Sequence, residues 1–491
     1  MNAAEFLLAA GDGGRLAIEC GTRKITYGEL RRAVAAATGA WRELGLAGGE
    51  RVLIFAPDSI DWVIAYLAAI RAGGVAVGLN NRLFETELSV ILAESKARFV
   101  WCDDESAALL SRLCSALPQP PRVVARVDWL TRLAAASPLP AAVLGNDDPA
   151  LWIYTSGTTG VPKAVIHAQR TVLAADAFAR GVLGLQASDR LYATSKLFFA
   201  YALGNALFAG LRLGATVILD GEWPNAERAA EVVAAHRPTV VFSVPTLYRK
   251  MLSSGAIAGF PAQGVRHLVS AGEAMPDTLA AGLHAAAGVA PVGGYGTSET
   301  LFLMFTRRED AGAVSLQPTP GTAVRATSAD AAPQRIWIAH GSVALGYWQR
   351  PEQERDSFRD GEFSPGDLFR AGRDGWEFCG RTDDMLKISG QWVSTLAVET
   401  ALGAACGDTV QELAAAGYTN ADGLTSIALF GVAAENRADE ARRRLGAAIA
   451  ALPGFQRPRL VRWVDELPHT ATGKLQRNRL AAIYLKEANA S

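Results

Sequence analysis

The chain has 491 residues, half of them hydrophobic and a fifth charged, too long for one small core and ordinary enough to predict two or three globular domains. A formal net charge of -1 excludes a global electrostatic pull toward nucleic acid or an anionic membrane. Cys20, Cys102, Cys114, Cys379 and Cys406 lack CxxC spacing, which argues against a disulfide framework or a zinc site and suits a reducing cytosol.

Met1 to Ala10 has no basic segment leading into a long apolar run, so no signal peptide is expected. No apolar run reaches the roughly 18 residues of a membrane span, and the cytoplasm is the expected compartment. Thr26 and Glu29 have capping-box spacing, and an amphipathic helix is predicted from there to Leu44, stopped by Gly45. A buried strand at Val52–Ala56, a helix over 58–72 ended by Gly73 and Gly74, and a strand at Val75–Val77 follow. This rhythm predicts parallel α/β packing. It returns as helix Ala226–His236, strand Val240–Ser243, a helix near Leu247, strand Val265–Ser270, helix Pro276–Ala287 and strand Val289–Val292. Pro318–Pro333 reads as irregular connection, and Gly361–Gly380 as short strand-like pieces. After Asp383 the pattern shortens. Trp392 and Val393 read as extended, a helix is predicted near Leu396–Leu402, and strands at Leu413–Gly417 and Ile427–Val432. Helix Ala438–Leu452 and strand Leu460–Val464 complete what looks like a separate small α+β domain.

The chemistry starts at an apolar run, Leu151–Tyr154, predicted to be a buried strand. Thr155, Ser156, Gly157, Thr158, Thr159, Gly160, Val161, Pro162 and Lys163 follow it. The glycines let backbone N–H groups turn toward an anion, four hydroxyls add donors, and Lys163 adds charge. GxxxxGK[ST] spacing is absent and a strand, Ala164–Ile166, follows where a Walker loop opens a helix. By composition alone, a flexible hairpin is the better explanation of such a loop.

The run from Tyr154 to Lys163 resembles the phosphate loop of the adenylate-forming superfamily: acyl-CoA synthetases, adenylation domains of peptide synthetases, and luciferases. Tyr295, Gly296, Thr297, Ser298 and Glu299 resemble its adenine- and magnesium-binding motif. Gly366 and Asp367 match its ribose-binding aspartate, Gly380 to Lys387 the segment joining its two domains, and Thr470 to Arg477 its C-terminal lysine loop. Five motifs in family order span essentially the whole chain. The resemblance implies a large N-terminal α/β unit, residues 1–382, with a β-rich subdomain near the hinge, and a small mobile C-terminal α+β lid, residues 384–491, turning about Asp383. It implies Lys474, Thr155 and Glu299 as catalytic, with Glu299 on magnesium. Ser156, Gly157, Thr158, Thr159, Gly160, Lys163, Gly272, Glu273, Tyr295, Gly296, Thr297, Asp367 and Arg381 are implied at the nucleotide. Unaided chemistry agrees: a carboxylate suits a hard cation, an aspartate can accept both ribose hydroxyls, and Arg381 offers a fork of donors.

Lys196 to Asn205 resembles the acyl-pocket segment of benzoate-type aryl-CoA ligases, and Ser389 to Ser394 fits the same subgroup. The implied acid contacts are Phe199, Ala200, Tyr201, Gly204 and Leu303. Ser389, Gly390 and Trp392 are implied on the face serving the second step. No acidic residue lies between Lys196 and Asn205, so a substrate ammonium there would lack its counter-charge. The chain has Thr297 and Ser298 where benzoate ligases usually have Ser then Thr, and Phe302 where they often have His. A substituted benzoate, a heteroaryl acid and a medium apolar acid stay open. The expected reaction uses ATP, Mg2+ and coenzyme A. The rivals are a medium-chain acyl-CoA synthetase, an enzyme loading a carrier-protein phosphopantetheine, and a non-catalytic ATP-binding homologue. Monomer and homodimer are both open.

Overall fold

The computed structural model describes residues 1–156, 162–308, 315–328, 332–372, 374–388, 391–420, 424–469 and 475–484. The chain forms two compact units, Met1–Arg325 with Trp337–Ser364, and Ala326–Ile336 with Pro365–Ser491. Packing thus divides the chain ahead of residue 383.

The first unit holds two large sheets. The nine-stranded one runs from Gln317–Pro318 through Leu303–Arg308, Val292–Gly296, His267–Ser270, Val240–Ser243, Arg190–Ala193, Thr216–Leu219 and Leu16–Cys20 to Arg23–Thr26. The seven-stranded one runs from Gly346–Tyr347 through Pro162–Ala168, Pro149–Ser156, Val75–Gly78, Arg51–Phe55 and Phe99–Cys102 to Arg122–Ala125. Their centres are parallel. Every residue of Val240–Ser243 and of Val75–Gly78 is buried, because helices cover both faces of a parallel sheet. Thr26 and Glu29 close a complete capping box on helix Tyr27–Glu43, which satisfies two orphan N–H groups. Helix Ile60–Arg71 is capped by Ser59 and buried over all but its last residue.

The second unit contains the ribbon Asp367–Ala371 with Trp376–Arg381 and the hairpin Met385–Ile388 with Gln391–Ser394. Its sheet joins Val410–Thr419, Thr425–Ala433 and Leu460–Trp463. Helices Thr395–Cys406 and Ala438–Ala451 bury Val398, Leu402, Cys406 and Leu445 against Ile427 and Leu429.

Two local expectations need correcting. The strand placed at Val289–Val292 occupies Val292–Gly296. Gly288, at φ +64°, ends the preceding helix in a left-handed cap, and the chain needs the next three residues to reach the sheet. Pro318–Pro333 is not wholly irregular, for Ala323–Ala326 is a strand. Its half-exposed alternation is an edge-strand pattern too short to stand out from composition. Among the described residues, no helix is long and apolar enough to cross a membrane.

Candidate active site

Three predicted motifs follow the carboxyl ends of parallel strands, where open α/β sheets bind ligands. Thr155 and Ser156 end the strand Pro149–Ser156. Gly272 and Glu273 follow His267–Ser270, and Tyr295 and Gly296 end Val292–Gly296. Thr155 lies opposite Lys163 in the antiparallel pair that flanks the phosphate loop. Gly157, Thr158, Thr159 and Gly160 lie outside the described residues, as do Ser389, Gly390 and Lys474. So do the side chains of Ser156, Asp383 and Trp392.

Glu299 is 8% exposed. Its Oε1 lies 3.2 Å from Lys163 Nζ and accepts a hydrogen bond of 2.8 Å from the Tyr347 hydroxyl. Lys163 Nζ sits 3.8 Å from the centre of the Tyr347 ring, within cation–π range. Burial works against a charged Glu299, but the Lys163 charge and the Tyr347 hydroxyl outweigh it and hold the carboxyl below its ordinary range. Among the described residues, no group of three or more acidic, imidazole or thiol side chains could hold a metal ion. A lone carboxylate beside a phosphate loop fits magnesium, which binds through one or two carboxylates plus phosphate oxygens and water.

The turn Thr297–Leu303 holds Glu299 by several links. Thr300 N–H donates to Thr297 O at 3.2 Å, and Ala344 N–H to Glu299 O at 2.9 Å. Ser342 Oγ donates to Thr300 O at 2.6 Å. Leu301 adopts φ +61°, an uncommon conformation for a branched side chain. The Thr297 hydroxyl oxygen is buried with no partner among the described residues, which suits a donor kept for a nucleotide. Tyr295 packs edge-on against Phe305. A Cβ at Gly296 would meet Phe302 O at 2.6 Å, so only glycine fits this close approach.

His167, on the strand after the phosphate loop, places Nε2 2.8 Å from Ser298 O. Burial pushes its pKa down to about 4, against the Ser298 carbonyl and the Glu299 charge, which favour protonation. A neutral ring with its proton on Nε2 therefore holds Ser298. The folded pKa lies below the ordinary 6.5, so this stabilisation is present above pH 6.5 and is lost as the pH falls toward 4, about 3 kcal/mol in all. Thermal unfolding of His167→Gln should show a shallower loss across that window than the parent. Parallel slopes would remove His167 from the acid response.

The predicted acyl segment enters a helical run at Ala200. Ala200–Ala202 and Ala209–Leu213 are α-helical around a π-helical stretch, Leu203–Phe208, a form common at functional sites. Asn205 Nδ2 donates to Tyr201 O at 3.1 Å, and its Oδ1 accepts from Leu303 N–H at 3.2 Å. A Cβ at Gly204 would lie 2.6 Å from Leu301 O, so the helix can approach the Glu299 turn only with glycine there. Tyr201 donates its hydroxyl to Val269 O at 3.0 Å and meets Phe242 edge-on. Phe199 packs on Phe198, ring centres 4.4 Å apart. Ala200 and Leu303 are buried. Upstream, Asp58 accepts from Leu197 N–H at 3.1 and 3.2 Å. Burial pushes that carboxyl up to about 7 against the pull of Lys196.

Gly272 takes φ +89°, and Glu273 Oε2 accepts from Thr246 N–H and its hydroxyl at 3.2 and 2.7 Å. In the second unit, Asp367, buried, faces Arg381 directly across the ribbon. An added Cβ at Gly366 would lie 3.4 Å from an Arg381 terminal nitrogen. The two predicted nucleotide contacts thus share one end of one ribbon.

Sequence reasoning did not single out Tyr347, His167 or Asn205 for these roles. Tyr347 sits 48 residues beyond Glu299, and one sequence carries no signal for that pairing. His167, in an apolar strand, reads as a core histidine.

Antiparallel strands flank the run Thr155–Lys163, where a Walker loop would open a helix, and the buried Glu299 lies 3.2 Å from Lys163; this fits an enzyme that activates an acid with a nucleotide. The AMP-binding enzyme family matches residues 8–348, and the chain belongs to that family. It is 41% identical, over 98% of its length and 96% of the relative's, to a 3-hydroxybenzoate–CoA ligase of Aromatoleum sp. (strain CIB). It is 39% identical, over 98% of its length and 97% of the relative's, to a 3-hydroxybenzoate–CoA/4-hydroxybenzoate–CoA ligase of Thauera aromatica. An anthranilate CoA ligase in complex with anthranoyl-AMP superposes with a TM-score of 0.90 at 27% identity, covering 99% of this chain and 98% of that one.

Proposed function

We propose that this AMP-forming aryl-acid–CoA ligase takes a hydroxybenzoate as its acid. The hydroxybenzoate ligases named above support that choice. The reading rests above all on the turn Thr297–Leu303. It carries the buried carboxylate Glu299 and also meets Gly204 and Asn205 of the acyl segment, which has no charged residue from Leu197 to Asn205. One short turn thus relates a cation ligand to an apolar wall, as joining a benzoate to a nucleotide requires.

In the first step a substrate carboxylate oxygen attacks the α-phosphorus of ATP, and pyrophosphate leaves. Both reactants are anions, so positive charge and alignment dominate the catalysis. Lys163, the loop residues Thr155–Gly160 and Lys474 supply donors and charge, Asp367 and Arg381 hold the ribose, and Thr297 offers its hydroxyl. Magnesium held by Glu299 would neutralise phosphate charge. In the second step the thiol of coenzyme A attacks the carbonyl carbon of the mixed anhydride. The anhydride C–O bond breaks, AMP leaves with the bridging oxygen, and the thiol proton goes to solvent. The chain turns about Asp383 between the steps, bringing Ser389, Gly390 and Trp392 to the second. The compartment we infer from cysteine usage is the cytoplasm.

The acid is tested by thioester formation with ATP and coenzyme A across benzoate, its hydroxy isomers, acetate and free amino acids. Turnover should be confined to aryl acids. Ala200→Leu should penalise ring-substituted acids more than benzoate, through overlap in a packed wall. Robust turnover of acetate with aryl acids inert would sink the reading.

A further inference from the structure

Lys163 and Glu299 each have a second demand on them. The proposed function sends the lysine to phosphate and the carboxylate to magnesium, yet here the two pair with each other at 3.2 Å. Tyr347 touches both, giving its hydroxyl to Glu299 Oε1 at 2.8 Å and its ring face to Lys163 Nζ at 3.8 Å. A carboxylate 8% exposed cannot stay ionised without a counter-charge, and before nucleotide arrives that charge is Lys163.

We infer that Lys163 is a placeholder cation: it occupies Glu299 until a divalent cation arrives with ATP, then moves to phosphate, and Tyr347 is the positioning residue that seats both during the exchange. The inference rests on the assignment of the metal to Glu299. Binding of metal alone is then opposed by a competitor already in place, and so is binding of metal-free ATP, which would draw Lys163 away and leave a buried charge uncompensated. The two bind together because each relieves the cost of the other, a coupling that works in both directions. Tyr347 is well chosen for this: its ring tolerates sideways movement of an ammonium, while its hydroxyl keeps the carboxylate aimed.

The test measures free Mn2+ by its electron paramagnetic resonance signal at pH 8, with no nucleotide present. Lys163→Met should bind one Mn2+ at least about tenfold more tightly than the parent, because its competitor is gone. The double variant with Glu299→Gln should lose that site. Lys163→Gln, which keeps a donor near Oε1 but removes the charge, is judged by the same criterion should the methionine variant fail to fold. Unchanged Mn2+ affinity in the folded variants, or tighter binding that survives Glu299→Gln, overturns the inference. Failure of the metal assignment itself reads differently: Glu299→Gln alone would then leave Mn2+ affinity in the presence of ATP unchanged.

Discussion

Lys474→Ala should lower acid-dependent pyrophosphate exchange by on the order of a hundredfold or more, as happens when an oriented donor to a transition-state oxygen is removed. Negative charge accumulates at the α-phosphorus as one anion attacks another. Lys163 leaves Glu299 for phosphate when ATP and metal bind, and the charge developing at the α-phosphorus calls for a further cation. Lys474 is the lysine the C-terminal motif supplies, and Arg477, three residues on, is firmly held. Its Nε lies 3.7 Å from Asp384, and a terminal nitrogen pairs with the buried Glu399 at 2.5 Å. Thioester formation from supplied aroyl-adenylate should fall much less, since the α-phosphorus is then no longer under attack. Exchange at the parent rate would take Lys474 out of the mechanism.

The second large effect is expected at the proposed hinge, Asp383. Residues 382–384 form a single short 3-10 turn between extended neighbours. Upstream, Thr382 donates its N–H and hydroxyl to Gly366 O at 2.8 and 3.0 Å. Downstream, Asp384 O accepts from the Thr395 hydroxyl at 3.2 Å. Position 383 is thus the link between two anchored flanks, and a hinge needs only one or two such bonds to absorb the change in φ and ψ. Asp383→Pro, which fixes φ, should leave pyrophosphate exchange nearly intact and slow thioester formation strongly. An equal fall in both half-reactions would point to a folding defect instead and refute the hinge.

Most of the architecture was legible because it rests on local patterns. Helix Ala226–His236 and strand Val240–Ser243 fall where apolar periodicity puts them, and the capping box at Thr26 is visible as two residues three apart. Boundaries slipped where a glycine or a sheet edge decided them, as at Gly288 and Ala323–Ala326. Site motifs could be read because Thr155, Lys163, Glu299 and Asp367 lie in short contiguous signatures. What supports them could not, since it depends on distant pairings. Tyr347 reaches Glu299, Asn205 reaches Leu303 across 98 residues, and His167 reaches Ser298 across 131. The π-helical stretch at Leu203–Phe208 was hidden for a related reason. It packs against the Glu299 turn through Gly204 and Asn205, and side-chain periodicity carries little of that.

The two-step reaction is tested most directly by isotope transfer. An accepted hydroxybenzoate labelled with 18O in both carboxylate oxygens would be turned over once with ATP and coenzyme A, and the products weighed by mass spectrometry. Attack of the carboxylate on the α-phosphorus predicts one 18O in AMP, none in pyrophosphate and one left in the thioester. Unlabelled AMP, or label in pyrophosphate, would contradict an acyl-adenylate and with it the roles given to Glu299, Lys163 and Lys474.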